Sequence, residues 1–201
     1  MTARAEWLTV GGPVEPWRDL GLVVDDGGLV ALFGTAIRIV DGELPGLAGW
    51  SLSGTESDSA DIDGLRTESV APLTPTYVAH PLGAIGLDHV VIVTDELQRT
   101  SHAITVATGA PLKRVREVGE LRQGFHRLGS LVVELVERAG LPVGPAEFWG
   151  LVLNVEDLAV AVERLGPERI SPAKAAVQPG RSIATLRPEA TLGLPVALMT
   201  P

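Results

Sequence analysis

The sequence has no cysteine. That excludes disulfides, thiolate nucleophiles and cysteine-ligated zinc. Aromatic residues are scarce, with four Trp, three Phe and one Tyr in 201 residues, so a ring beside a candidate site is of interest as a ligand wall. No run approaches the roughly 18 uninterrupted apolar residues of a membrane helix, and the opening MTARAEWLTV has no apolar stretch of signal-peptide length. The chain is therefore expected to be cytoplasmic, with no membrane partner. Basic charge is also short. Residues 1–85 hold 12 Asp+Glu against 4 Lys+Arg, and residues 86–201 hold 13 against 12. No basic stripe results, which argues against nucleic acid as a partner. Gly11-Gly12 and Gly27-Gly28 do not make a dinucleotide or phosphate loop, and G-x-S-x-G and H-E-x-x-H are missing.

What is present is an ordinary globular composition, 45% hydrophobic and 20% charged, long enough for one large domain or two small ones. Trp7 to Val10 reads as a strand and Pro16 to Asp19 as a helical turn. β-like runs follow at Leu20–Val24, Leu29–Phe33 and Ala36–Val40, with Gly27-Gly28 as a hairpin turn between the first two. GLAGWSLSG at 46–54 alternates like another strand. Residues 1–54 thus form a partial β-rich unit, with Trp7, Trp17 and Trp50 as its core. Residues 55–85, opening with a Ser-, Asp-, Thr- and Pro-rich stretch to Pro75, read as a linker.

The rest of the chain is more regular. Leu87–Val93 is a strand and Glu96–Thr108 a helix stopped by Gly109; strands follow at Leu112–Val118, Gly124–Leu128 and Leu131–Val136. The order then recurs. Phe148–Val155 is a strand, and Leu158 to Leu165 a helix with Asp157 as N-cap and Gly166 as stop. Strands follow at Arg169–Val177, Arg181–Arg187 and Leu194–Met199. Two β-α-β-β-β units, 86–140 and 146–201, are an internal repeat, and the N-terminal segment reads as a third, shorter copy.

These paired units, with LDHVVIVTDELQRT, SLVVELVE, EFWGLVLNVEDLAVAVERLG and the closing GLPVALMTP, resemble the vicinal oxygen chelate superfamily. That group includes glyoxalase I, extradiol dioxygenases and the bleomycin-resistance proteins. The resemblance covers residues 86–201 and is faint over 1–54. It implies an α+β fold in which paired βαβββ units form a half-open barrel around one cavity. Metal-using members take one ligand from the first and one from the last strand of each unit. Carried over, those positions fall on His89, Glu134, Gly150 and Ala197. The first two suit a divalent metal; glycine and alanine cannot coordinate. Catalytic metal sites usually need three protein ligands, so His89 and Glu134 are expected as a residual half-site without cofactor, a divalent metal being the alternative. His126, on a neighbouring strand, is the best substitute ligand, ahead of His102 and His80.

Alternation puts Arg114 and Arg116 on one strand face and Lys113 on the other, and an arginine face would suit a carboxylate or phosphate. Phe125, Phe148 and Trp149 could line the cavity. The expected ligand-binding residues are Arg114, Phe125, His126, Trp149, Gly150 and Ala197. Glu134, in the apolar run LVVELV, is a candidate base with His89 as its partner, or half of a buried hydrogen-bonded pair. Three functions follow. One is metal-independent binding of a small molecule. Another is an enzyme acting on a small carbonyl or carboxylate metabolite, with Glu134 and His89 catalytic. The third is a structural module whose cavity the N-terminal segment fills. A homodimer is compatible with the resemblance.

Overall fold

The computed structural model describes residues 2–43, 45–55, 61–73, 76–190 and 192–201. It is an α+β structure of two sheets. The first contains β1 (Arg4–Gly11), β2 (Leu29–Val30), β3 (Ala36–Val40), β4 (Gly46–Ser53), β5 (Asp61–Ile62) and β6 (Leu65–Ser69), in the order β2-β3-β1-β4-β6-β5. The short helix α1 (Glu15–Asp19) follows β1 and buries Trp17. The second sheet holds β7 (Ala84–Thr94), β8 (Arg114–Val118), β9 (Leu121–Leu128), β10 (Leu131–Arg138), β11 (Glu147–Val155), β12 (Lys174–Ala175), β13 (Ser182–Thr185) and β14 (Val196–Met199). Its order is β12-β13-β14-β11-β7-β10-β9-β8. Helices α2 (Leu97–Thr108) and α3 (Leu158–Leu165) follow β7 and β11.

Both sheets are built on an antiparallel central pair, β1 with β4 and β7 with β11. Each central strand has a parallel neighbour on its outer side: β3 beside β1, β6 beside β4, β10 beside β7 and β14 beside β11. The central pairs also share two register shifts. In β1 the shift falls at Glu6, between Ala5 opposite Leu52 and Trp7 opposite Ser51; in β7 it falls at Asp88, between Leu87 opposite Leu153 and His89 opposite Val152. The second shift leaves Ala48 unpaired in β4 and Trp149 unpaired in β11, next to Gly49 and Gly150. A bulge inserts one residue and re-aims the side chains around it. In β1 and β7 it places an acidic residue, Glu6 or Asp88, directly before Trp7 and His89.

The N-terminal region departs from its expected layout in three ways. Leu20–Val24 is not a strand; β2 pairs with β3 instead. Residues 61–69 of the stretch expected as a linker form β5 and β6 and complete the first sheet, burying Ile62, Leu65 and Thr67. Residues 56–60, 74 and 75 of that stretch lie outside the described residues. The first sheet therefore repeats the strand pairing of the second in both its halves, where only one shortened copy was expected. Strands this short, with polar outward faces, leave little alternation to read.

The helices follow local chemistry. Asp157 caps α3 by accepting from the amides of Ala159 (2.9 Å) and Val160 (3.1 Å), and Leu158, Ala161 and Leu165 bury one face. Helix α2 has no cap of its own. Glu137 on β10 accepts the Leu97 amide at 2.8 Å, and Gly109 ends the helix at φ 69°, a conformation that favours glycine. One core runs through both sheets, from Leu8, Trp17 and Leu52 to Ile92, Leu135 and Leu153. Trp50 meets Phe148 edge-on across the junction at 5.2 Å. Asp63, in the β5–β6 turn, is bound by Arg99 (2.9 Å) and Thr100 (2.5 Å) of α2.

Candidate functional site

A polar row crosses the second sheet strand by strand. Arg116 on β8 donates from Nε to Gln123 Oε1 (2.5 Å), and Gln123 on β9 donates from Nε2 to Glu134 Oε1 (2.5 Å). Glu134 on β10 faces His89 on β7, with Oε2 3.4 Å from Nε2. The other imidazole nitrogen, Nδ1, lies 2.7 Å from Asp88 Oδ2. Arg181, just before β13, donates from Nη2 to Asp88 Oδ1 and Asn154 Oδ1, both at 2.7 Å. Neighbours on a regular strand point to opposite faces, so Asp88 reaches His89 only because the bulge falls between them.

The electrostatics follow from these contacts. Burial alone would raise the Asp88 carboxyl, but hydrogen bonds from His89 and Arg181 outweigh it and hold the pKa down at about 2. An ionised Asp88 accepts a hydrogen bond from the Nδ1–H and so fixes the imidazole's orientation. On the other side of the ring, Nε2 stands 3.4 Å from Glu134 Oε2, within ion-pair distance. The imidazole thus stands between two carboxylates, Asp88 and Glu134.

His89 and Glu134 line both of two adjoining spaces. One is a cavity of about 330 Å3, mainly apolar, lined among others by Val91, Trp149, Leu151, Ile183 and Ala197. The other is a cleft of about 340 Å3 lined by Arg114, Arg116, Arg127, Arg181, Phe125 and Asp88. The guanidinium carbons of Arg114 and Arg116 lie 5.1 and 5.2 Å from the centre of the Phe125 ring. Among the described residues, Arg114, Arg116 and Arg127 have no carboxylate partner. Neither space is lined by a described residue preceding Leu87, so the filling that a ligand-free module requires is not seen.

The remaining candidates fall elsewhere. Gly150 lines neither space; a Cβ there would sit 2.5 Å from the Pro195 carbonyl oxygen, so the glycine admits β14 rather than leaving room for a ligand. The β11 residue opposite His89 is Val152, which lines the apolar cavity. His126 faces away, toward α2. It is buried, with Nδ1 at 3.0 Å from the Ala110 carbonyl and Nε2 at 2.9 Å from Ser101 Oγ. Burial lowers its pKa, only partly offset by the Ala110 bond. His80 accepts the Val23 amide at Nδ1 (3.0 Å) and donates from Nε2 to the Ala31 carbonyl (3.0 Å). His102 is exposed on α2, and Phe148 packs on Trp50. No group of three or more metal-ligating side chains converges among the described residues. With Val152 and Ala197 completing the ring, the donor set does not fit a catalytic metal. Asp88, Gln123 and Arg181 were not anticipated. The one signal was Asp88, a second polar residue in GLDHVVIVTD.

Strand pairing and element order define a strand-rich α+β fold of two sheets, the class that the resemblance implies. The structure matches that of a mutant of 4-hydroxymandelate synthase from Streptomyces coelicolor with a TM-score of 0.67 and 15% identity, covering 100% of this chain and 93% of that one. Methylmalonyl-CoA epimerase from Mycobacterium tuberculosis matches at a TM-score of 0.50 and 18% identity, over 59% of this chain and 89% of that one. Both belong to the vicinal oxygen chelate superfamily. No family model and no curated protein matches the sequence. At these identities the likeness establishes the fold. No described helix is long and apolar enough to cross a membrane.

Proposed function

We propose that the chain binds a small organic anion, without a metal, in the space around His89 and Glu134. Strands β7–β14 curve about that space as a half-open barrel. The ligand's apolar body occupies the cavity of Val91, Trp149, Leu151 and Ile183, and its anionic group the cleft of Arg114 and Arg116. The observation that carries this reading is an apolar cavity adjoining, at His89 and Glu134, a cleft in which Arg114 and Arg116 have no carboxylate partner among the described residues. Guanidinium binds carboxylate or phosphate through paired N–H donors, while the apolar wall supplies burial. The test is a thermal-shift and calorimetric titration with hexanoate, phenylacetate and phenyl phosphate. A saturable rise in Tm is expected. The Arg114→Gln/Arg116→Gln double variant should weaken binding about tenfold or more, about 1.4 kcal/mol. Absence of saturable binding by all three probes, or an unchanged Kd in the variant, refutes it.

A second reading adds turnover at the same site, favoured by the 3.4 Å approach of Glu134 to His89 where both line the cavity. Glu134 would take a proton from carbon next to a carbonyl, and His89 would share it. In that case bound phenylacetate exchanges its α-hydrogen in D2O, and Glu134→Gln abolishes exchange while binding survives.

A further inference from the structure

We infer that the inward face of the first sheet is a second binding site, for a small organic carboxylate, centred on Arg38. The inference stands apart from the proposed function, since no residue is shared. Residues 1–85 hold 12 acidic and 4 basic residues, a setting in which a guanidinium readily finds a carboxylate. Arg66 does, pairing with Glu43 at 3.3 Å. Arg38 does not. Its guanidinium lies 4.5 Å from the centre of the Trp7 ring, and its Nε is buried with no hydrogen-bond partner among the described residues. Stacking on an indole stabilises the charge and leaves the in-plane N–H donors unused. A buried donor without an acceptor is unfavourable until something supplies one.

The position matters as much as the charge. Arg38 pairs with Thr9 across β3 and β1 as Glu134 pairs with Val91 across β10 and β7. Trp7 follows the bulge at Glu6 as His89 follows the bulge at Asp88. The first sheet thus has a cavity of about 390 Å3 at the corresponding place, with a cation where the second sheet has a carboxylate. Val40, Ala48 and Trp50 give it apolar wall. The Trp50 indole N–H is already committed to Thr67 Oγ1 at 2.7 Å, and one Glu68 oxygen to the Ser51 hydroxyl at 2.8 Å. Arg38 is left with free donors in a space sized for a small molecule, and a planar carboxylate meets the guanidinium fork through two parallel hydrogen bonds.

The experiment follows the indole N–H signals of Trp7 and Trp50 in 1H–15N spectra of the full chain during titration with benzoate, with chloride in parallel. Benzoate should move them saturably in the millimolar range and chloride should not. Arg38→Lys, which keeps the charge but loses the fork, should weaken the response at least tenfold. Arg38→Gln should abolish it in a spectrum that stays dispersed, and Arg114→Gln should leave it unchanged. Unmoved signals, equal movement with chloride, or an undiminished response in Arg38→Gln would overturn the assignment.

Discussion

The two sheets share a ladder and differ in what stands on it. At corresponding places the second sheet has His89, Glu134 and Ala197 where the first has Trp7, Arg38 and Glu68. The bulge residue is acidic in both, yet its partners differ. Asp88 is held by His89 and Arg181, whereas Glu6 is buried and takes the Ser53 hydroxyl and, at 2.8 Å, the Leu73 amide. Pairing geometry therefore persists under a complete change of inward-facing chemistry. Backbone hydrogen bonds and register hold a sheet together, leaving inward positions free to become a polar row in one sheet and an arginine–indole stack in the other.

The two glycines beside the second bulge test that geometry most severely. A Cβ on Gly150 would lie 2.5 Å from the Pro195 carbonyl oxygen, and one on Gly49 2.8 Å from that of Arg66. Gly150→Ala should lose about 3 kcal/mol and Gly49→Ala about 1–2 kcal/mol, within the range for overpacked sites. Urea unfolding measures both, and equal small losses would show that the outer strands can slide away.

A smaller effect separates the two bulge acids. The Asp88 pKa is depressed to about 2 from 3.8, so its stabilisation is fully present above 3.8 and is lost as pH falls toward 2. The amount is about 2 kcal/mol. Asp88→Asn should remove that part of the acid limb in a series of unfolding curves between about pH 4 and 2. An unaltered limb would mean that the Arg181–Asp88–His89 contacts do not persist in solution. The smallest change lies in the helices that distinguish the sheets: Asp157→Ala should cost about 1 kcal/mol through two lost cap bonds, read as a lower urea midpoint.

Those helices were the most legible part of the sequence. Asp157 followed by Leu158, Ala161 and Leu165 names both the start and the buried face of α3, and Gly109 names the end of α2. The two longer β-α-β-β-β units were legible for the same reason, since each contains a helix that punctuates its strands. The first sheet was not. Its strands are short, α1 spans five residues, and polar residues around Asp61 and Ser69 looked like linker although Leu65 and Thr67 alternate inward. At the site, His89 and Glu134 were placed by the resemblance and Arg114 by strand alternation. The resemblance also assigned Gly150 to the cavity, but the register shift at Trp149 puts Val152, not Gly150, opposite His89. Gln123 and Arg181 gave no local signal; their roles depend on strand order, which a single sequence does not print.

The edge-on contact between Trp50 and Phe148 also says something about how the chain comes into being. A ribosome makes Trp50 about a hundred residues before Phe148, and at 5–20 residues per second that gap is on the order of ten seconds. The first sheet must wait that long with its junction face uncovered. Its heavy negative charge, 12 acidic residues to 4 basic in the first 85, would keep waiting chains from sticking to one another until the second sheet arrives.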